Sequence, residues 1–319
     1  MKLKLSSNIA GLLISLVILC FTNPGCNPTN ISSGITPGSS TITTVLENAT
    51  NTTVFVSLMK RTGLDSVFNS PGPFTVFVPV DNAFTGSGIT DSILNTYSDS
   101  AVRQILLYHT IAAGLLSSHF PPGPNSKLVT ANGDSVFVTV NSTGVFVNGI
   151  PVSAADIIAS NGAIDAMPQV LVPATGSILQ TIQADTSFSF LVAAITRASQ
   201  GSLLIDSMLS TGGPYTLLAP GNNAFRNAGF ATTDSINNAN PDSIANIVLY
   251  HIIPYRMFTS DINTSTTVPT LNDSTVLFTV TSTTPQVLGK QNTYPANTTA
   301  VNIMAHNGVV FVIDQLLLP

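Results

Sequence analysis

Hydrophobic and polar positions along this chain follow two different periods, arranged in alternating blocks. In SDSAVRQILLYH, Val102, Ile105, Leu106 and His109 fall at i, i+3, i+4 and i+7, and NPDSIANIVLYH gives Ile244, Ile247, Val248 and His251 the same spacing. That spacing predicts one buried face of a helix, opened by Ser98 in one stretch and by Asn240 with Pro241 in the other. Each histidine is expected on the buried stripe, in the last turn. FTVFVP and YTLLAP, from Phe74 and Tyr215, are short β-rich runs stopped by proline. SVFVTVNSTGVFVNG alternates around the turn-forming NSTG and predicts a hairpin. Helices grouped early and strands grouped late predict an α+β fold.

These blocks occur twice. GPFTVFVPVDNAF from Gly72 matches GPYTLLAPGNNAF from Gly213 at an offset of 141, and the Tyr-His pairs follow at 142. NGAIDAMPQVLVP from Asn161 then matches NGVVFVIDQLLLP from Asn307 at 146. Three anchors in one order, with offsets drifting by five residues, predict two homologous domains, at 40–173 and 174–319, with a small insertion in the second.

The N-terminus reads differently. MKLK followed by the apolar run Ile9 to Phe21 is too short to span a bilayer and fits a secretory signal, taken as residues 1–25. Cys26, after Asn-Pro-Gly, resembles the lipidation site of a bacterial lipoprotein, although Asn23 stands where such sites usually carry Leu. The plainer alternative is ordinary cleavage beside an incidental Cys26. Residues 26–39 are rich in Pro, Ser, Gly and Asn and suit a flexible tether. Cys20 and Cys26 are the only cysteines, so no disulfide holds the later residues.

Composition narrows the function. Only 8% of residues are charged, and 73 of 319 are Ser or Thr, yet 44% are hydrophobic, so low charge does not imply disorder. The net charge is −5 and no basic run occurs, which argues against nucleic acid. The chain has no G-x-S-x-G, no H-E-x-x-H and no Walker loop, and no catalytic residue is assigned. The four histidines lack metal-ligand spacing, and DNAF at Asp81 and NDS at Asn272 lack clustered acidic ligands. No metal and no cofactor is expected.

The three repeated blocks together resemble the fasciclin-like domain. The first spans Phe74 to Phe84 and Tyr215 to Phe225, the pairs are Tyr108–His109 and Tyr250–His251, and the closing blocks are Asn161 to Pro173 and Asn307 to Pro319. The resemblance implies two tandem fasciclin-like domains, each a small β-sheet wedge or sandwich packed with several short helices. It also marks departures. Asp165 and Phe311 stand where the family usually carries His, Met167–Pro168 replaces Ile-Asp in the first copy, and Val80 and Gly221 replace a threonine.

The resemblance implies a non-catalytic role in adhesion at a cell surface or matrix, with an envelope protein, matrix protein or polysaccharide as partner. With the N-terminus, it suggests a lipoprotein that touches the membrane only through its lipid, facing the periplasm or the exterior. A solute- or lipid-binding envelope protein is the alternative and would need an apolar pocket open to solvent. By resemblance, Tyr108, His109, Tyr250 and His251 are candidate recognition residues. By their place on an apolar stripe they are buried anchors, with Asp81, Asn222 or nearby backbone carbonyls as partners.

Overall fold

The fold was obtained as a computed structural model, which describes residues 38–89, 91–280 and 284–319. The expected signal segment, Cys26 and most of the expected tether lie outside the described residues.

The first repeat opens with helices α1 (Ile42–Glu47), α2 (Thr53–Arg61) and α3 (Leu64–Phe68), followed by strand β1 (Phe74–Pro79). Helices α4 (Asp81–Gly86), α5 (Asp91–Leu94) and α6 (Asp99–Tyr108) come next, then β2 (Thr110–Ile111). Strands β3 (Gly123–Val129), β4 (Ser135–Asn141), β5 (Gly144–Val147), β6 (Ile150–Pro151), β7 (Ala154–Ala159) and β8 (Gly162–Met167) complete it. Helix α6 starts as its sequence predicts, with the Ser98 hydroxyl accepting from Ala101 N. It ends one residue earlier than expected: His109 is the C-cap, not part of the last turn. The NSTG segment forms the expected hairpin turn, pairing Asn141 with Gly144 between β4 and β5.

The central feature is a parallel pair. β1 runs beside β8 with Phe74 opposite Gly162 and Pro79 opposite Met167, although 88 residues separate the partners in sequence. The sheet order is β2-β1-β8-β7, with β3-β4-β5-β6 as a second sheet. β1 is covered on both faces. Val76 and Val78 pack into the helical core with Phe55, Leu106 and Ile164. Phe77, from the opposite face, joins Tyr108, Val136, Val138 and Val147 under the second sheet. A strand buried on both sides has no polar face, which is why FTVFVP shows no alternation.

The second repeat follows the same plan: helices α7 (Ile178–Gln183), α8 (Ser189–Ala198) and α9 (Ile205–Thr211), then β9 (Tyr215–Pro220). Helices α10 (Asn222–Asn227), α11 (Thr233–Asn237) and α12 (Pro241–Tyr250) precede β10 (Ile252–Ile253). Strands β11 (Ser265–Pro269), β12 (Thr275–Val280), β13 (Pro285–Leu288), β14 (Ala296–Ala305) and β15 (Gly308–Ile313) close it. Asn240 accepts from Ser243 N ahead of Pro241 at the first position of α12. Here the two sheets are one seven-stranded sheet, because β14 runs unbroken where the first repeat splits into β6 and β7. The long strand bends through register shifts between Thr298 and Ile303. Asp156 and Asn302 occupy the matching bulges with φ of 61° and 59°.

Candidate functional site

Each Tyr-His pair sits where the long helix meets the central strands. His109 and His251 are 0% and 1% exposed, and Tyr108 and Tyr250 are 1% and 0% exposed. His109 Nδ1 lies 2.8 Å from Ile105 O, and His109 Nε2 accepts from Leu171 N at 2.9 Å. His251 repeats this with Ile247 O at 2.8 Å and Leu317 N at 3.0 Å. A carbonyl can only accept and an amide can only donate, so each ring is the neutral tautomer protonated at Nδ1. Burial drives both imidazoles down to about 4, partly opposed by the bond to the helix carbonyl. Both nitrogens of both rings are committed. The histidine thereby ties the end of the helix to the closing block of its own repeat.

The expected side-chain partners are not the ones used. Asp81 instead accepts from Thr53 Oγ1 and Val54 N, at 2.8 and 2.9 Å, and caps the start of α2. Asn222 accepts from Phe190 N at 3.0 Å and donates to Thr186 O. The partnership fails because each polar side chain heads its own short helix at the strand end and reaches the preceding helix pair, while the imidazole points along its helix into the closing block.

The tyrosines point the other way, into the sheet core. Tyr108 Oη donates to Ser135 O at 3.1 Å and accepts from Asn148 Nδ2, and burial pushes its phenol up to about 12. Tyr250 Oη donates to Thr275 O and accepts from Lys290 N, both at 2.8 Å.

The closing blocks carry a further device that sequence reasoning missed. Asn161 Nδ2 donates to Phe68 O and Ser70 O while its Oδ1 accepts from Ile42 N. Asn307 does the same with Leu209 O, Gly212 O and Ile178 N. The following glycines are needed for close approach: a Cβ on Gly162 would lie 1.9 Å from Phe74 O, and one on Gly308 would lie 2.1 Å from Tyr215 O. The repeated NG pair was the available signal. Asp165 is fully buried on β8 in register with Phe77, where the second repeat has Phe311. Its Oδ1 accepts from Asp156 N at 2.8 Å, its Oδ2 has no partner, and burial raises it to about 6.

The two repeats meet through β3, β4, the β5–β6 turn and the segment after β10. Arg256 lays its guanidinium 3.9 Å from the centre of the Phe137 ring, and Phe137 also lies 6.0 Å from Phe258. Asn125 Nδ2 bonds Asp261 Oδ2 at 2.7 Å and Arg256 O at 3.2 Å, and Thr259 Oγ1 reaches Gly149 O at 3.1 Å. Beside this contact lies a cleft of about 690 Å³ lined by Lys127, Phe137, Pro214, Tyr255, Arg256 and His306 among others. Burial lowers Arg256 to about 10, still a cation at neutral pH. Among the described residues there is no group of three or more His, Cys, Asp or Glu placed to hold a metal ion. No described helix is long and apolar enough to cross a membrane.

The molecule is thus a tandem pair of α+β modules, each built on a parallel central pair and a buried Tyr-His corner. The Fasciclin domain model matches residues 50–173 and 186–319, so the chain belongs to the fasciclin-domain family. It is 27% identical over 258 residues to pig "Transforming growth factor-beta-induced protein ig-h3", covering 78% of this chain and 35% of that protein. It is 29% identical over 120 residues to human "Periostin", covering 38% of this chain and 14% of that protein. It is 33% identical over 131 residues to Arabidopsis thaliana "Fasciclin-like arabinogalactan protein 12", covering 39% and 51%. The chain therefore spans from about one-seventh to half of these relatives. A solved FAS1 domain pair from the insect cell adhesion molecule Fasciclin I is similar over 84% of this chain and 96% of that one, at 19% identity and a TM-score of 0.42.

Proposed function

We propose that this protein is a non-catalytic adhesion or binding protein of the cell envelope, lipid-anchored at Cys26, whose two fasciclin domains engage a protein, polysaccharide or matrix partner. The two family matches, together covering most of the chain after the tether, carry this reading. Domain limits of 40–173 and 174–319 are part of the proposal. They are supported by Ile42 N and Ile178 N, each bonded to the closing-block asparagine of its own repeat. Within the proposal Tyr108, His109, Tyr250 and His251 are structural anchors, because their polar atoms are consumed internally and their rings are covered. A partner then meets other, exposed residues.

The test is a pull-down of envelope components with the full-length protein, alongside Cys26→Ala. Capture of a defined component supports the reading, and absence of any partner overturns it. Cys26→Ala is expected to lose fatty-acid incorporation and to leave the membrane fraction; unchanged membrane association refutes the anchor.

A further inference from the structure

Arg256 stands in the wall of the cleft between the repeats, 9% exposed, and forms no ion pair among the described residues. Its Nε and Nη1 have no partner, its Nη2 makes one long bond to His306 O at 3.3 Å, and Phe137 covers one face. Removing a guanidinium from water without a counter-ion is unfavourable, and native proteins rarely leave such a group unanswered. The carboxylate lining this cleft makes no ion pair with it: Asp261 Oδ2 accepts from Asn125 Nδ2 and from Phe258 N, and its Oδ1 accepts from Ser260 Oγ at 3.4 Å. Asp134, in a smaller adjoining hollow shared with Lys127 and His306, accepts from Asn132 Nδ2.

A second cation lies on the same cleft. Lys127 is exposed, and its Nζ has no partner among the described residues. Exposed His306 lies on the same rim. In a chain with 15 acidic and 10 basic residues, two cations without ion pairs against one carboxylate, Asp261, on one concave surface are a local reversal of sign. Phe137, Pro214 and Tyr255, the last 41% exposed, give the lining an apolar and aromatic part beside the polar Asn125, Thr211 and Asn307. A volume of about 690 Å³ suits a small molecule, not a flat protein surface.

We propose that the cleft between the two domains binds a small organic carboxylate carrying a ring, its anion compensating Arg256 and Lys127 and its ring lying against Tyr255 and Pro214. An aromatic acid and a sugar acid share this chemistry. The inference is independent of the adhesion reading, since a small ligand can bind whether or not an envelope partner is captured.

The test is calorimetric titration of the full-length protein at low ionic strength with phenylacetate and with glucuronate. Phenylacetamide and glucose serve as the uncharged counterparts. At least one acid is expected to bind, and its neutral counterpart at least about tenfold more weakly. The acid that binds identifies the ring chemistry. Arg256→Gln is expected to weaken binding by about tenfold or more, and Lys127→Met by about threefold or more. Lys127 bonds nothing through its Nζ, so its variant keeps the test valid if Arg256→Gln loosens the domain contact. Failure of both acids to bind, equal binding of the neutral compounds, or parental affinity in Lys127→Met overturns the proposal.

Discussion

Acidification should separate the two domains, because one carries an opposing group that the other lacks. Both histidines are held neutral by burial, at about 4 against an ordinary 6.5. Their folded pKa is depressed, so the stability they contribute is complete above 6.5 and is lost as pH falls toward 4. Moving from about pH 7 to about pH 4.5 protonates the imidazole in the unfolded chain but largely not in the folded one, costing each domain about 2.5 kcal/mol. Asp165 runs the other way. Its folded pKa of about 6 lies above the ordinary 3.8, so stability is greatest below 3.8 and falls as pH rises through 6. The same acidification therefore returns about 2 kcal/mol to the first domain. The second domain has Phe311 at that position and receives nothing. The first domain should lose less than about 1 kcal/mol, and the second about 2.5 kcal/mol. The chain has no tryptophan, so the assay is hydrogen exchange by mass spectrometry, read separately on α6 to β8 and on α12 to β15. Asp165→Asn should remove the compensation and make the first domain as acid-sensitive as the second. Equal loss in both domains of the parent, or greater loss in the first, would refute the opposing-charge argument.

His109→Leu removes the acceptor for Leu171 N and leaves a buried amide unpaired, so the first domain should lose about 1–3 kcal/mol in urea unfolding while the second is spared. His251→Leu should reverse the pattern through Leu317 N; a variant that melts like the parent but no longer binds its partner makes the histidine a recognition residue. Asn161→Ala breaks three hydrogen bonds joining α1 and the turn after α3 to β8, and should destabilise the first domain by about 2–3 kcal/mol in the same assay. Because no cysteine follows Cys26, adding a thiol should leave thermal melting of both domains unchanged, and a lowered midpoint would contradict the cysteine positions.

Much of this architecture was legible in the chain because it is local or repeated. The helical stripes, the Ser98 and Asn240 caps and the NSTG hairpin depend on residues a few positions apart, so their periods and capping side chains declare them. The two-copy organisation was legible because three blocks recur in one order. The histidine's burial followed from its place at i+7 of an apolar stripe. Its partner did not, because Leu171 and Leu317 donate through backbone amides, which every residue possesses.

Tertiary structure alone decided the rest. The parallel pairing of β1 with β8 joins segments 88 residues apart, and a run that is apolar throughout names no register. The orphaned oxygen of Asp165, the threefold bonding of Asn161 and the unpaired Arg256 each arise where separate elements meet. Sequence pattern reports which face of an element avoids water. Whether a polar atom on that face finds a partner depends on chain brought in from elsewhere, and only the folded packing sets that.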